Sequence, residues 1–487
     1  MAHQPTQTNR VAILGGGVTG LTALLGLASA QKNGITVEPF LLEATDRLGG
    51  LIRTERIDNF LVEAGPDSFL TEKPDGIALA KELGLEASLV GSNDSGRRTY
   101  IFHRNCLVPL PENWLLFVPR RAGAAVTSRL LPVSSLVVSF AEAFRFWNLE
   151  RDGSADESVS RFVRRHFGNG MLENVADPLL AGIYGGDTEQ LSAQSVLPRF
   201  RALERRYGSL VRGLAKEKTS GKSGAPIFTT LRDGMQEFVE SLVARAGDSI
   251  RDRIHLGVRA TALEAHGDLA TQPSETARFG YTIQCEGGAS FKAGSVILAL
   301  PAYECARLLR AIDSSLAADL GAIPYTPAVI VALGYRVRPA NLPQGFGLLA
   351  PRRAGRRLLA CTFVQGKFPF RAPEGAALLR CFLGGARDHS VLEMNDEQVG
   401  SLVIRELRDM LGVLETPEFI RVYRFPSAMP QYVVGHEERV SRIWEALDRH
   451  PGLFLAGNSY SGIGISDSIR TAKSAVEKVV NFTRAWQ

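Results

Sequence analysis

The stretch Arg10-Val11-Ala12-Ile13-Leu14-Gly15-Gly16-Gly17-Val18-Thr19-Gly20 decides the fold class of this chain. Its first five residues predict a short buried strand, and the Ala- and Leu-rich residues 21–30 predict a helix. In this order Gly15 permits a tight turn, Gly17 lets the backbone approach a pyrophosphate, and Gly20 lets the helix pack on the strand. The N–H groups and the positive dipole end of the helix favour phosphate binding. The stretch therefore predicts a nucleotide-binding turn.

A second apolar strand and an acidic residue strengthen this interpretation. Residues 36–42 predict the strand, and Glu43 follows it, with Ala44 next, about 23 residues after Gly20. A carboxylate in this place can accept hydrogen bonds from the ribose hydroxyls of an adenine dinucleotide. A glycine motif alone is a weak signal, because glycine-rich turns also occur without a nucleotide. These residues do not separate FAD from NAD.

Composition and charge exclude several classes of function. The chain has 487 residues, 45% of them hydrophobic and 22% charged, which is typical of a globular protein with more than one domain. The net charge of +5 does not come from a basic tail, so no nucleic-acid partner is expected. The five cysteines form no CxxC pair and the eight histidines show no ligand spacing, so we expect no disulfide framework and no metal site. Residues 1–10 lack the apolar core of a signal peptide, which favours a cytoplasmic location.

The most apolar region of the chain, residues 114–147, has two interpretations. It is interrupted by prolines and arginines, so no stretch reaches the roughly 20 apolar residues that span a bilayer. The region can form buried helices. Alternatively, residues 114–118 (WLLFV), followed by Arg120 and Arg121, can form an interfacial face that is peripheral to a membrane.

Motifs along nearly the whole chain resemble the protoporphyrinogen oxidase family of the flavin amine oxidase superfamily. The second glycine doublet, at residues 47–51 (RLGGL), resembles the part of the superfamily pattern that lines the flavin. Further similar segments are residues 63–69 (EAGPDSF), 176–187 (ADPLLAGIYGGD), 231–239 (LRDGMQEFV), 345–351 (GFGLLAP) and 430–432 (PQY). Ser466 and Ser468 depart from the residues that many members have. The resemblance implies an FAD-dependent oxidoreductase.

The resemblance also implies a three-part architecture of mixed α/β and α+β class. A Rossmann-like FAD-binding domain is expected from residues 8–75, 225–310 and 435–487. A substrate domain with an antiparallel sheet is expected from residues 76–94, 206–224 and 311–434. An inserted helical domain, residues 95–205, is expected to carry a membrane-facing or dimer surface.

The predicted cofactor is FAD. We expect it to be bound non-covalently, because the chain has no cysteine between Gly457 and Asp467. Two strands, residues 254–258 and 295–301, and the strand–turn–helix at residues 453–482 are expected to complete its domain. The predicted cofactor-binding residues are Gly15, Gly16, Gly17, Val18, Thr19, Gly20, Glu43, Ala44, Arg47, Gly49, Gly50, Leu51, Gly65, Pro66, Asp67, Ser68, Val258, Gly457, Ile463, Gly464 and Ile465.

The resemblance implies oxidation of protoporphyrinogen IX to protoporphyrin IX in haem biosynthesis, by removal of six electrons with dioxygen as acceptor and release of hydrogen peroxide. Leu349 and Phe368 are expected to hold the macrocycle, Gly347 to keep their turn narrow, and the backbone at Gly182 to accept from pyrrole N–H groups. Without the resemblance, Leu349 and Phe368 are ordinary core residues. Arg98 is expected to pair with a propionate. No catalytic acid or base is assigned.

Three alternatives to this function stay open. Coproporphyrinogen III carries four propionates, and the arginines at positions 352, 353, 356 and 357 can serve the additional ones. Arg98 can equally be a solvated charge at the end of a strand. The chain can also be another enzyme of the superfamily, an amine oxidase or a desaturase. A non-catalytic flavoprotein that binds porphyrin is the third alternative.

Overall fold

A parallel sheet forms the centre of the fold in the computed structural model, which describes residues 8–121, 128–144, 155–217, 225–266 and 280–485. Numbered in chain order, its strands lie in the spatial order β12 (Ile254–His255), β2 (Val37–Leu42), β1 (Asn9–Leu14), β16 (Ser295–Leu298) and β22 (Leu453–Leu455). All neighbouring pairs are parallel, and Ile13 pairs with Leu41 on one side and Ile297 on the other. Strands from the start, middle and end of the chain share this sheet, which confirms the predicted Rossmann-like fold.

Two different layers cover the parallel sheet, because neighbouring side chains of a strand point to opposite faces. Val11 and Ile13 pack against a helical layer, and Ala12 and Leu14 pack against a mixed layer. The helical layer contains α1 (Val18–Lys32), α9 (Gln236–Ala246) and α16 (Ile465–Ala485). The mixed layer contains β13 (Ala260–Ala265), β14 (Tyr281–Cys285), β15 (Ser290–Ala293), α11 (Ala302–Leu309), α12 (Ser314–Gly321) and α15 (His436–Leu447).

A second, mixed sheet forms the predicted substrate domain. Its spatial order is β21 (Phe419–Pro430), β17 (Tyr325–Tyr335), β20 (Ala377–Gly384), β19 (Ala360–Phe363), β18 (Gly347–Leu349), β7 (Thr99–His103) and β8 (Cys106–Pro109). Its pairs are antiparallel apart from β18 and β7, which run parallel, and helix α14 (Asp396–Leu411) packs in its core. The sequence predicts residues 95–109 in the helical domain. The strand pairing of residues 99–109 assigns those residues to this sheet instead.

A helical unit with an aromatic core follows this strand pair. Its helices are α3 (Val133–Ala143), α4 (Val159–Met171), α5 (Asp177–Tyr184), α6 (Ala193–Val196), α7 (Pro198–Tyr207) and α8 (Leu210–Lys216), and a π-helical segment, Leu172–Ala176, joins α4 to α5. Leu210, Val211 and Leu214 of α8 pack in the same core as Phe162 and Phe200. Helix α8 therefore belongs to this unit, and our assignment of residues 206–217 to the substrate domain needs correction. Residues 218–224 lie outside the described part of the chain.

The apolar surface of the helical unit lies on α3 and not at residues 114–118. Trp114, Phe117 and Val118 are buried in the core, so the interfacial interpretation of that segment is wrong. The segment is buried as the other interpretation expected, but it forms the short strands β9 (Trp114–Leu115) and β10 (Val118–Pro119) and not helices. On and just after α3 the large exposed side chains are apolar and the fully buried ones are polar, which reverses the usual pattern. The outward residues are Val133, Val137, Phe140 and Phe144, and the buried polar ones are Ser135, Ser139 and Glu142. Within the described residues, no helix is long and apolar enough to cross a membrane.

Short elements connect these units. The remaining strands are β3 (Thr54–Ile57) with β4 (Phe60–Glu63), β5 (Phe69–Leu70) with β11 (Phe228–Leu231) and β6 (Leu89–Gly91), and β9 (Trp114–Leu115) with β10 (Val118–Pro119). The remaining α-helices are α2 (Pro74–Glu82), α10 (Asp248–Arg251) and α13 (Val364–Lys367).

Candidate cofactor and substrate site

The predicted phosphate turn has the geometry that its glycines suggest. Gly15 has φ +109°, a conformation that favours glycine. A Cβ atom on Gly20 would lie 1.8 Å from the carbonyl oxygen of Gly15, so helix α1 touches the strand through this glycine. A Cβ atom on Gly17 would meet nothing within 4 Å. Gly17 therefore borders open space at the N-terminus of α1, next to Val18 and Thr19.

The second glycine doublet lies directly against this turn. The N–H of Gly49 donates to the carbonyl oxygen of Gly16 at 2.8 Å, and a Cβ atom on Gly50 would lie 3.3 Å from Cα of Gly17. The guanidinium of Arg47 donates to the carbonyl oxygens of Leu48, Gly50 and Ile52. Burial, followed by the charge of Arg53, lowers the pKa of Arg47. A half-buried cation thus holds the doublet beside the phosphate turn.

Glu43 lies between the turn and the predicted adenine contact. Its Oε2 accepts from the N–H of Gly16 at 2.6 Å, and its Oε1 accepts from the N–H of Thr45 at 2.9 Å. Oε1 also accepts from the hydroxyl of Thr45 at 2.8 Å, so Oε2 is the oxygen that keeps a second lone pair for a ribose hydroxyl. The N–H of Val258 donates to the carbonyl oxygen of Glu43 at 2.9 Å, so only the carbonyl of Val258 is left for an adenine. Ala44 is half-buried beside Glu43.

The predicted flavin-side residues extend from the second doublet to the start of α16. A Cβ atom on Gly65 would lie 1.9 Å from the carbonyl oxygen of Leu51, whose side chain is 41% exposed. Pro66, Asp67 and Ser68 continue from Gly65 towards Lys73, whose ammonium pairs with Asp467 at 2.5 Å.

The start of α16 is fixed by its own side chains. Asp467 accepts a hydrogen bond from the N–H of Gly464 at 3.1 Å. Ile463 and Ile465 flank this glycine in the sequence. The N–H of Gly457 donates to the hydroxyl of Thr471 at 3.0 Å. The loop between β22 and α16 is therefore held at both ends, and the N-terminus of α16 lies close to the residues that follow Ser68.

These segments fit an FAD molecule. A phosphate site lies over Gly17, where open space meets the N-terminus of α1. The Glu43 carboxylate beside the turn supplies a ribose site, and the exposed Leu51 supplies an apolar surface next to them. When bound, FAD supplies a ring that accepts two electrons together with hydrogen from a substrate.

Behind Gly65–Ser68 lies a group of charged side chains that the sequence analysis missed. We call Glu63, Asp67, Lys367, Arg371 and Arg380 the buried charge cluster; their side chains are between 0% and 13% exposed. The ammonium of Lys367 donates to both oxygens of Asp67, at 3.0 and 3.1 Å, and Arg371 pairs with Glu63 at 3.1 Å. Arg380 donates to the carbonyl oxygen of Gly65. The signal in the sequence was Arg380 within the apolar strand segment LLRCFLG.

The pKa values in the buried charge cluster reflect burial and pairing in opposite directions. Burial raises the pKa of Asp67, but the positive charges of Lys367, Arg380 and Arg371 outweigh it and hold this pKa well below its usual range. Burial lowers the pKa of Lys367, and Asp67 opposes that shift. The Lys367 Nζ also donates to the hydroxyl of Ser68 at 2.9 Å, so it has three acceptors for the three protons of an ammonium group.

Two of the predicted substrate residues contact each other. A Cβ atom on Gly182 would lie 2.9 Å from Cδ2 of Leu349, and Gly182 is exposed in the last turn of α5, where carbonyl groups lack helical partners. Gly347 has φ +154°, and a Cβ atom there would lie 2.1 Å from the carbonyl oxygen of Cys361. Glycine is therefore required at the start of β18, where the strand that carries Leu349 lies close against β19.

Arg98 and Phe368 differ in how well the structure suits their expected roles. Arg98 is exposed just before β7, and its carbonyl oxygen accepts from the N–H of Phe346 at 2.8 Å. Its guanidinium makes no ion pair with any described residue. Phe368 is fully buried, with the guanidinium carbon of Arg371 4.9 Å from its ring centre. A ring enclosed in this way cannot stack on a ligand without moving, so we correct the expected role of Phe368 to packing.

Gln431 and Tyr432 connect helix α5, on the substrate side, to the loop before α16, on the flavin side. The sequence analysis noted these two residues only as part of a family motif. The Nε2 of Gln431 donates to the carbonyl oxygen of Tyr184 at 2.9 Å. The hydroxyl of Tyr432 donates to the carbonyl oxygen of Asn458 at 2.6 Å. Burial, and then the Asp467 carboxylate, raise the pKa of Tyr184 to about 12, so its hydroxyl stays protonated at neutral pH.

Comparison with known proteins agrees with this arrangement. The family model described as flavin containing amine oxidoreductase matches residues 18–480. The chain is 31% identical over 482 residues to the coproporphyrinogen III oxidase of Bacillus subtilis (strain 168), covering 97% of this chain and 98% of that protein. It is 28% identical over 505 residues to the chloroplastic protoporphyrinogen oxidase of Nicotiana tabacum, covering 96% and 85%.

A solved structure extends the likeness to the whole fold. A protein from Exiguobacterium sp. 255-15, provisionally named protoporphyrinogen oxidase, has a TM-score of 0.85 at 27% identity, covering 98% of this chain and 99% of that one. Fold, cofactor segments and whole-length similarity agree. The chain therefore belongs to the flavin-containing amine oxidoreductase family and, within it, to the porphyrinogen oxidases, and it is an FAD-dependent oxidoreductase.

Proposed function

We propose that this chain oxidises a porphyrinogen to the corresponding porphyrin in haem biosynthesis. The reaction removes six electrons, with dioxygen as the final acceptor and hydrogen peroxide as the second product. The names of the whole-length relatives support the substrate class, and the FAD segments support the redox chemistry.

The observation that carries this proposal is the contact between Leu349 and Gly182. Leu349, which is 9% exposed, offers an apolar edge beside Gly182, and the carbonyl groups of Gly182 and Ile183 in the last turn of α5 can accept hydrogen bonds from pyrrole N–H groups. A flat apolar macrocycle with N–H groups complements both. In this reaction the chain mainly binds the substrate, orients it and excludes water, and we assign no side chain as a proton carrier.

Among porphyrinogens we propose protoporphyrinogen IX, which carries two propionates. Arg98 is exposed just before β7, the strand that pairs with the Leu349 strand β18, and it makes no ion pair with any described residue. Each arginine of the competing group has a partner within the chain: Arg352 pairs with Asp187, Arg353 with His103, Arg356 with Asp409 and Arg357 with Asp388. Among the described residues, Arg98 makes no ion pair and the four other arginines each have a partner, which favours the substrate with fewer carboxylates.

Coproporphyrinogen III is the second candidate, because the Bacillus subtilis relative carries the name of its oxidase at 31% identity. The deciding experiment measures porphyrin fluorescence with both substrates for the parent chain, Arg98→Ala and Arg98→Lys. A charge-assisted hydrogen bond is worth roughly 1.5–3 kcal/mol, so Arg98→Ala should raise the KM for protoporphyrinogen IX roughly tenfold to hundredfold. Arg98→Lys should recover part of this loss.

The same assay separates the remaining functions. A parent chain that prefers coproporphyrinogen III, or an unchanged KM in Arg98→Ala, contradicts the protoporphyrinogen assignment. A yellow protein that oxidises neither porphyrinogen but oxidises amines points to another activity of the family. A yellow protein that binds porphyrin without turnover is a non-catalytic flavoprotein.

Membrane contact and dimerisation stay proposals. The outward apolar side chains of α3 support contact with a membrane surface, since four of them lie on one side of that helix. Co-sedimentation with phospholipid vesicles, compared between the parent chain and Phe140→Ser, tests the contact. Sedimentation velocity tests for a homodimer.

A further inference from the structure

The buried charge cluster carries an unbalanced charge next to the flavin-side segment. Two carboxylates, Glu63 and Asp67, face three cations, Lys367, Arg371 and Arg380, which leaves an excess of one positive charge. Charges in the protein interior are screened far less than charges in water. The excess positive charge therefore stabilises a nearby group when that group becomes more negative.

The contacts of the arginines show that the excess is not neutralised within the cluster. Arg371 donates through Nη2 to Glu63, to the carbonyl oxygen of Asp67 and to Thr230. Its Nε and Nη1, and the Nε of Arg380, are buried and have no acceptor among the described residues. Arg380 also donates directly to the carbonyl oxygen of Gly65, which joins the cluster to the predicted flavin segment.

We propose that the excess positive charge of the buried charge cluster raises the reduction potential of the bound FAD, with Lys367 as the positioning residue that sets it. Two electrons and one proton convert the oxidised flavin ring to a form with one negative charge. A fixed positive charge behind Gly65–Ser68 stabilises that form more than the neutral oxidised form. The inference requires bound FAD and this placement of Gly65–Ser68, and it is independent of the porphyrinogen.

The sign of the effect can be tested by moving the charge in both directions. The measurement is the reduction potential of the flavin in purified holoenzyme, by anaerobic titration against reference dyes. Lys367→Met removes the excess charge and should lower the potential. Asp67→Asn increases the excess and should raise it. The double variant Asp67→Asn/Lys367→Met restores the original excess and should return the potential close to that of the parent.

A matched control and a second readout separate this effect from structural damage. Glu204→Gln removes one carboxylate from a charged group in the helical unit, where Glu204 pairs with Arg165 and Arg201, and should leave the potential unchanged. The dissociation constant of sulfite, which forms an anionic adduct with flavins, should rise severalfold in Lys367→Met and fall in Asp67→Asn.

Shifts of the same sign in the two single variants, or no shift in either, overturn the inference. These results are independent of the proposed function. If the potentials move as expected while neither porphyrinogen is oxidised, the proposed function fails and this inference stands. If porphyrin forms while the potentials do not move, the inference fails alone.

Discussion

Gly17 is the residue whose role can be tested most cleanly, because the protein itself leaves space there. Its φ of −75° suits any residue, and an added Cβ would meet no protein atom within 4 Å. Gly17→Leu should therefore fold normally but purify without colour, since the side chain would occupy pyrophosphate space. The measurements are flavin absorbance and the melting temperature.

Gly321→Ala is the control for this substitution. An added Cβ at Gly321 would make ordinary contact with Ala306 at 3.6 Å, so this variant should keep its flavin. A yellow Gly17→Leu protein would show that no phosphate passes over this glycine.

Phe368 separates packing from ligand stacking. Because the ring is fully buried, Phe368→Ala should lower the free energy of unfolding by about 3–5 kcal/mol, as expected when a large core side chain is removed. Denaturant unfolding measures this loss. Unchanged stability together with a strongly raised KM for the porphyrinogen would restore the original stacking hypothesis.

His436 should make the stability of the protein depend on pH below neutrality. Its ring stacks on Tyr432 at 4.1 Å, and burial lowers its pKa to about 4. The unfolded chain binds this proton near pH 6.5, so the stabilising contribution is complete above that pH and is lost as the pH falls towards 4. The shift corresponds to about 3 kcal/mol.

The variant His436→Asn tests this contribution by unfolding at a series of pH values. Its stability should fall less steeply between pH 6.5 and pH 4 than that of the parent. His389 is exposed, so His389→Asn should follow the parent curve. Equal slopes in the parent and His436→Asn would contradict the assignment.

At the scale of elements, two helix N-termini differ in how they are stabilised. Helix α8 begins against a buried carboxylate, because Glu142 of α3 accepts from the N–H groups of Leu210 and Val211 and from the hydroxyl of Ser209. Helix α14 has an ordinary exposed capping box, in which Asn395 and Gln398 exchange hydrogen bonds.

Removing the two caps should therefore have unequal effects on the free energy of unfolding. Glu142→Ala leaves buried donors without an acceptor and should cost about 3 kcal/mol or more, whereas Asn395→Ala should cost about 1 kcal/mol. Calorimetric unfolding of both variants measures the difference. Equal losses would show that Glu142 is not what holds α8.

Local patterns in the sequence predicted elements well and long-range contacts poorly. Residues 10–30 predicted β1, the glycine turn and α1, because every interaction that defines them lies within one strand–turn–helix unit. The buried charge cluster was missed because Asp67 and Lys367 are 300 residues apart. Burial of Phe368, and of Trp114 and Phe117, was likewise decided by packing between distant segments.

At the scale of the whole molecule, one chain builds two sheets whose parts alternate along the sequence. The parallel sheet takes strands from residues 9–42, 254–298 and 453–455, and the mixed sheet takes strands from residues 99–109 and 325–430. The motif order predicted the first sheet. It did not predict that β7 pairs in parallel with β18, since the partners are separated by the whole helical unit. That pairing places the backbone of Arg98 against Phe346, three residues before Leu349.

We expect the FAD of this protein to accept electrons directly from a porphyrinogen. The most direct test mixes the purified yellow protein with protoporphyrinogen IX in the absence of oxygen and follows flavin absorbance and porphyrin fluorescence together. We predict that the flavin bleaches as porphyrin appears, and that its colour returns when air is admitted. A flavin that stays oxidised with both protoporphyrinogen IX and coproporphyrinogen III, while dithionite bleaches it, would contradict the claim.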